Sequence, residues 1–554
     1  MHIGLLTDGA HPGAPCGARR WYDRLVQGLP GHEFTEFALP APPAARPTDP
    51  SYADGARRTG PVPGPAARRA DGRGRTPDRA ARRRFARHFA ELAAALAVQP
   101  GGTATQADRF AAGLHGLADL ARDHADLPAL LRSEAALRLL ERACRAPGAL
   151  PAAHAVQVPD LLAVTTHLDE ALRPLSLDWY GDGAPGLDTV DLCHATAAGP
   201  TALAGLLAKR FFGTPLLVTE DGPGLRAHHL DRATTPLNAP ARALLAAFQR
   251  ALAAETYARA TLITPGTAHA RRWQERCGAA PQRLRTVHPG VPAGPFLRVP
   301  DAVADGATTL VWAGPVEPAK DLAGLLRAFA HVRTAVPDAT LRIVGGPGDA
   351  PDAAAYLAHC RALADRLFPG APGPVRFEEP AAPGAPPVAD AYATAAVVVL
   401  SGVDEGFPHT LVEAMFSGRA TVSTDAGAVC EVIGGTGLVV PAGDPRALAD
   451  ACLALLTDPA RRARLGAATR ARALELFTVD RHLTAFRGIY LELLAHAHPD
   501  PAPGTPHPFA RPAETHLPGR RGDAAPRTPP TDRTPSWAAP GPRRRPAATG
   551  GEAR

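Results

Sequence analysis

At 554 residues the chain is long enough for more than one domain and for large apolar cores. Ala, Arg, Gly and Pro dominate, Lys occurs only at positions 209 and 320, and no run approaches the ~20 apolar residues needed to span a bilayer, which argues against a membrane-spanning class. The net charge of +6 is concentrated in residues 41–90 (twelve Arg against four Asp) and 499–554 (nine Arg against five acids), leaving −6 for the rest. Without interleaved aromatics these stretches fit solvated chain, not a nucleic-acid-binding face.

In chain order, His2 to Leu6 reads as a strand entering a Gly-rich loop (Gly9 to Gly17), with a helix from about Ala18 to Gly28; this start does not resemble a signal peptide. Residues 41–79, rich in Pro, Arg and Gly, are too long for an ordered connection and read as a flexible linker. Residues 80–148 form a helical insertion, with Phe85, Phe89, Leu92 and Leu96 at helix spacing. Strand–helix alternation resumes with a strand at Val190 to His194, a helix at Thr201 to Phe212 and a strand at Leu216 to Thr219. It continues with a strand at Ala260 to Thr264, a helix at Ala268 to Cys277 and a strand at Leu284 to Val287.

A second series follows: strand Thr308 to Trp312, helix Leu322 to Val336, strand Thr340 to Val344, helix Ala353 to Phe368 and strand Val375 to Phe377. Next come a buried strand at Val397 to Leu400, a helix starting near Pro408, a strand near Thr421 and a helix at Pro445 to Leu456. Such alternation predicts an α/β fold of parallel sheets covered by helices on both faces, in two Rossmann-like domains (1–300 and 305–476) facing a cleft. A helix at 477–496 follows the second domain, and 499–554 reads as a disordered Pro/Arg-rich tail. The seven cysteines show no short paired spacing, so neither a metal site nor a disulfide framework is expected and a cytoplasmic location fits; peripheral membrane contact stays open.

The most informative stretch is Leu400 to Gly427. Glu405 falls in the loop after a strand, and Glu413 lies two turns along the next helix. Ligands of parallel α/β sheets bind at the carboxyl ends of strands, and the N–H groups of Gly406, Phe407, His409 and Thr410 would supply an anion cradle there. An anion cradle with two hydroxyl-seeking carboxylates suits a nucleoside-diphosphate sugar.

The run Glu405-Gly-Phe-Pro-x-x-Leu-Val-Glu413, with Thr424-Asp-x-Gly427 and Glu431, resembles the donor-site signature of retaining family-4-type glycosyltransferases of the GT-B fold. The resemblance implies that Glu405 touches donor-sugar hydroxyls and Glu413 the ribose, with Gly406, Phe407, Pro408, His409, Thr410 and Leu411 around the donor. Gly314 to Lys320 occupies the place of that family's Gly-Arg-(four residues)-Lys phosphate element; Lys320 matches, whereas Pro315 stands where the Arg belongs.

The first half resembles, more narrowly, the Pel-type exopolysaccharide glycosyltransferases. Thr7 to Trp21 echoes their opening loop, ending at Gly17 with Cys16 in place of a glycine; Asp191 to His194 resembles a Val-Tyr-His-Ala segment, and Asp221 replaces a histidine. The turn at His288-Pro289-Gly290 lacks the family's polar residue. Gly17, Asp221 and His194 are therefore the acceptor-side candidates. The resemblance implies a transferase that moves a sugar with retention from a nucleotide donor to a glycan or lipid-linked acceptor, in polysaccharide or glycoconjugate synthesis, without a metal or other cofactor. The departures at Pro315, Asp221 and Pro289 keep a second reading open, a non-catalytic nucleotide-sugar or glycan-binding partner of a synthesis complex.

Overall fold

The computed structural model describes residues 1–7, 17–39, 77–98, 104–123, 126–180, 186–220, 237–300, 307–348, 352–370, 373–379 and 388–497. The tail, the linker up to residue 76, the Gly-rich loop before Gly17 and Asp221 lie outside the described residues, and the end of the assigned linker, Asp78 and Arg79, already caps and begins a helix.

The first α/β unit runs β1 (His2–Thr7), α1 (Gly17–Gly28) and β2 (Glu33–Ala38), and then six helices without a strand: α2 (Arg79–Ala97), α3 (Ala104–Arg122), α4 (Leu127–Leu131), α5 (Glu134–Cys144), α6 (Pro151–His154) and α7 (Val158–Ala171). It resumes with β3 (Leu192–Ala195), α8 (Pro200–Phe212), β4 (Leu216–Glu220), α9 (Ala239–Arg259), β5 (Leu262–Pro265), α10 (Ala268–Arg276) and the short α11 (Gly294–Leu297). Its five strands are all parallel, in the order β2-β1-β3-β4-β5. The helical segment packs through the apolar positions its spacing selects, with Phe85 and Phe89 stacked at 5.2 Å and fully buried.

The second unit runs β6 (Thr309–Ala313), α12 (Leu322–Ala335), β7 (Thr340–Val344), α13 (Ala353–Leu367), β8 (Val375–Glu378), α14 (Val388–Thr394), β9 (Val397–Leu400), α15 (His409–Phe416), β10 (Ala420–Thr424), α16 (Val429–Ile433), β11 (Leu438–Val440), α17 (Pro445–Leu456) and α18 (Pro459–Leu476). Its six strands are parallel in the order β11-β10-β9-β6-β7-β8. All four residues of β9 are buried, as an unbroken apolar run requires when helices cover both faces of a parallel sheet. The final helix, α19 (Val479–Ala497), leaves this unit and packs Phe486, Ile489, Tyr490 and Leu493 against Ile3, Leu5, Leu192 and Leu217 of the first sheet.

The segment Leu284 to Val287, expected as a strand, is not one. It makes a single bridge to Ile263, and the amides of Arg285 and Val287 donate to the Ile263 and Pro265 carbonyls. It is extended chain laid along the sheet edge between Pro281 and Pro289, neither of which can donate a ladder bond. The strands β2 and β11 and the helices α9, α14 and α18 have no counterpart in the sequence-based assignment.

Candidate functional site

The order of the second sheet creates the site. The chain winds outward from β6 through β7 to β8, then returns through α14 to place β9 on the other side of β6. The strand order reverses between β6 and β9, and a crevice opens there beyond their carboxyl ends. A cavity of about 180 Å³ fills it, lined by Trp312 to Pro315 and Lys320 after β6, Leu400 to Gly402 and Glu405 after β9, and Phe407, His409 and Thr410 at the start of α15.

Lys320 and Glu405 meet in this cavity. The Lys320 ammonium donates to Glu405 Oε1 at 2.9 Å and Oε2 at 2.8 Å, with the carboxylate side chain only 10% exposed. Burial raises the Glu405 pKa above the usual carboxylate range, an effect partly opposed by the Lys320 charge. The two loops that carry the pair are bonded to each other: Ser401 Oγ donates to the Lys320 carbonyl at 2.7 Å, and the Val403 amide donates to the Ala319 carbonyl at 2.8 Å. Next to Lys320, Asp321 adopts φ 43° and caps α12 by accepting from the Gly324 amide, a left-handed turn that an Asp side chain tolerates.

The Asp-x-Gly element has a steric role at the site. Gly427 adopts φ +58°, and a Cβ there would lie 1.6 Å from the Glu405 carbonyl oxygen, so only glycine allows the loop after β10 to pass behind Glu405. Thr424 Oγ1 donates to the Gly402 carbonyl at 2.5 Å and ties the same two loops. Gly314 adopts φ +149°, and its carbonyl lies where a Cβ on Gly345 would be, 1.8 Å away.

The expected amide cradle is smaller than the sequence suggests. Pro408 caps α15 without a side-chain bond. The His409 amide donates to the Phe407 carbonyl at 3.0 Å and the Leu411 amide to the Pro408 carbonyl at 3.1 Å, so neither is directed at a ligand here. The amides of Gly406, Phe407 and Thr410 find no acceptor among the described residues. The Phe407 ring packs edge-on against His409 at 5.0 Å and Phe477 at 5.8 Å. Leu411 is wholly buried and contributes packing.

Glu413 is half-buried further along α15 and does not line the cavity; its charge lies close enough to Tyr392 to help keep that phenol protonated, after burial. Pro315 does line it, which makes Lys320 the one permanently cationic side chain of the cavity wall among the described residues. Sequence reasoning missed Trp312 and Ser401 as wall residues. Their positions at the carboxyl ends of two central strands were the available signal.

Of the acceptor-side candidates, the described Gly17 and His194 do not line this cavity. Gly17 begins α1. His194 is corrected by its surroundings: it is fully buried, with Nδ1 bonded to Tyr490 Oη at 2.8 Å and Nε2 to Thr219 Oγ1 at 2.7 Å. Trp21 and Phe486 pack on its ring. Burial, reinforced by His482, pushes its pKa down to about 3, so it is a neutral core histidine joining α19 to the first sheet, with no ring nitrogen left for an acceptor. Glu431, part of the sequence signature, is not in the cavity wall; its carboxylate accepts from the Ala268 and His269 amides of the first unit. Among the described residues no group of three or more His, Cys, Asp or Glu is arranged to hold a metal ion, and no helix is long and apolar enough to cross a membrane.

Residues 1–282 match the family model described as Domain of unknown function (DUF3492), and residues 307–458 match Glycosyl transferases group 1. The chain is 33% identical over 207 residues to a D-inositol 3-phosphate glycosyltransferase of Nocardioides sp., covering 34% of this chain and 44% of that protein. It is 32% identical over 230 residues to D-inositol 3-phosphate glycosyltransferase 1 of Catenulispora acidiphila, covering 38% and 53%. The chain thus spans about half the length of the curated relatives it matches. Sucrose-phosphate synthase from Thermosynechococcus elongatus superposes with a TM-score of 0.53 at 15% identity, covering 89% of this chain and 99% of that one. Anabaena HepE, solved with UDP and glucose, superposes at 0.50 and 14%, covering 89% and 100%. At such identities the likeness concerns the fold, and the fold is the GT-B architecture of two parallel-sheet α/β domains.

Proposed function

The chain belongs to the DUF3492 family, and from that membership, its glycosyl transferases group 1 segment and the cavity between β6 and β9 we propose that it is a glycosyltransferase. It moves a sugar from a nucleoside-diphosphate donor to a glycan or lipid-linked acceptor, with retention at the anomeric carbon, in polysaccharide or glycoconjugate synthesis. The observation that carries the reading is the Lys320–Glu405 pair at the switch point of the second sheet, beside the amides that open α15.

In this reading the donor diphosphate displaces Glu405 from Lys320. The ammonium and the Gly406, Phe407 and Thr410 amides then stabilise the charge that develops on the leaving diphosphate. The freed Glu405 carboxylate accepts hydrogen bonds from donor-sugar hydroxyls, and Glu413 accepts them from the ribose. The bond from the anomeric carbon to the diphosphate oxygen breaks as the acceptor oxygen bonds to the same face. The acceptor proton passes to the departing diphosphate oxygen. Protein groups supply position and charge, with no protein nucleophile and no metal.

The names of the curated relatives favour a glycosyl-transfer reaction, and UDP, the nucleotide held by Anabaena HepE, is the first probe. Calorimetry with UDP, GDP and ADP, followed by a transfer and donor-hydrolysis assay with the matching nucleotide sugars, tests the proposal. Binding of one nucleotide that weakens in Lys320→Ala, with turnover resistant to EDTA, is the expected result. Absence of binding across the panel would overturn it. A second reading, a nucleotide-sugar-binding protein that does not turn over, is favoured by Pro315 in the cavity wall; tight binding without transfer or hydrolysis would decide for it.

A further inference from the structure

Helix α10 begins in the first unit, and its opening amides are satisfied from two sources. Its own cap, Thr267, accepts from the Ala270 amide at 3.0 Å, and the Thr267 carbonyl accepts from Arg271 at 2.9 Å. The first two amides go to the other domain. Ala268 donates to Glu431 Oε1 at 2.8 Å and Oε2 at 2.7 Å, and His269 donates to Glu431 Oε2 at 3.3 Å. Glu431 sits on α16 of the second unit, so a carboxylate caps a helix across the domain boundary, where the helix dipole favours negative charge. His288 Nδ1 lies 3.9 Å from the same carboxylate.

The backbone beneath Glu431 is held independently of that contact. The Arg472 guanidinium donates to the Glu431 and Val432 carbonyls, both at 2.8 Å. Four residues earlier, Gly427 lies against the carbonyl of Glu405. The segment 427–431 therefore runs from the cavity to the domain boundary, fixed at both ends, and its Glu431 carboxylate reaches across.

We propose that Glu431 is a positioning residue that registers the two α/β domains by capping α10 in trans, holding the first domain's face over the Lys320–Glu405 cavity. Its effect on transfer rests on the proposed function; its effect on domain registry does not. Because Arg472 keeps α16 in place, removing the carboxylate loosens this contact between the domains, which α19 still joins, without disturbing the donor cavity.

The test uses the full-length chain with Glu431→Ala, Glu431→Gln and, as a control on the same helix turn, Thr267→Ala. Hydrogen exchange at Ala268 and His269 should accelerate at least about tenfold in Glu431→Ala, and small-angle scattering should show a larger radius of gyration. UDP affinity should stay within about twofold, kcat should fall about tenfold or more, and Glu431→Gln should recover part of both. Thr267→Ala should accelerate exchange at Ala270 while leaving radius and kcat near the parent values. Unchanged exchange at 268 and 269 would overturn the capping. Faster exchange with parental radius and kcat would reduce Glu431 to a local cap and overturn the positioning role. If the parent neither binds nor turns over a nucleotide sugar, the proposed function fails, and exchange and scattering still decide the registry.

Discussion

Lys320 and Glu405, 85 residues apart in sequence, are joined by two hydrogen bonds in the cavity where the diphosphate and donor sugar are proposed to lie. Each neutralises the other, so neither ligand group can engage until the pair is exchanged. A carboxylate in contact with the ammonium competes directly with phosphate for it. Glu405→Gln should therefore tighten UDP by roughly 1 kcal/mol, the scale of one net hydrogen bond regained, while reducing transfer. Lys320→Ala should cost about 2–4 kcal/mol of transition-state stabilisation. Equal UDP affinity in the parent and Glu405→Gln, read by calorimetry, would mean that the pair and the diphosphate do not share a site.

Pro315 offers a converse test. It lines the cavity beside Gly314, at the strand end where the resembling family carries an arginine, and among the described residues Lys320 is the one source of permanent positive charge in the wall. Pro315→Arg should strengthen UDP binding by about 1–2 kcal/mol through a bidentate phosphate contact. No gain in calorimetry would show that the diphosphate does not run along Gly314 and Pro315.

The second domain was largely legible because its signals are local. The apolar run Val397 to Leu400, the Gly-Phe-Pro before α15 and the Asp-x-Gly after β10 each carry backbone information that any parallel α/β sheet uses. The pairing of Lys320 with Glu405 was not legible, since it depends on β9 returning beside β6 and bringing two loops within bonding distance. Edge strands were also lost: β2 carries Glu33 and Glu36 with a half-exposed face, and β11 is three residues long, so neither shows a continuous apolar run. Helices α9 and α18 are Ala-rich, and α18 is Arg-rich as well; alanine, abundant along the whole chain, marks no apolar spacing. His194 misled for a physical reason. A histidine at the carboxyl end of a parallel strand has the position of a site residue, and only the return of α19 with Tyr490 buries it.

Gly427→Ala tests the steric seat behind Glu405. The new methyl group would occupy the space of the Glu405 carbonyl, at a backbone conformation that costs a non-glycine residue on the order of 1–2 kcal/mol. The loop must move, and Glu405 moves with it. Thermal unfolding should show a lower Tm and calorimetry a weaker UDP complex, with a larger effect than Gly406→Ala, whose added Cβ meets nothing within 4 Å. Matching Tm and UDP affinity in the two variants would contradict this account of the Asp-x-Gly element.

Acid should weaken the junction between the domains through His482. Its imidazole Nδ1 donates to the His288 carbonyl at 2.9 Å, Gly290 passes against its Cβ, and the neighbouring chain is pinned by the Val291 amide donating to the Phe477 carbonyl. Burial pushes its pKa from 6.5 down to about 4. Between those values the unfolded imidazole binds a proton that the folded one refuses, so stability rises with pH across this window. The contribution is complete above about pH 6.5 and is lost as pH falls towards 4, at most on the order of 3 kcal/mol for this shift. His194, lowered further by burial, extends the same trend to more acidic pH. His482→Asn retains a donor for the His288 carbonyl but cannot titrate. Urea unfolding at pH 7 and pH 4.5 should therefore show a smaller loss of stability in the variant than in the parent; parallel losses would place the acid sensitivity elsewhere in the fold.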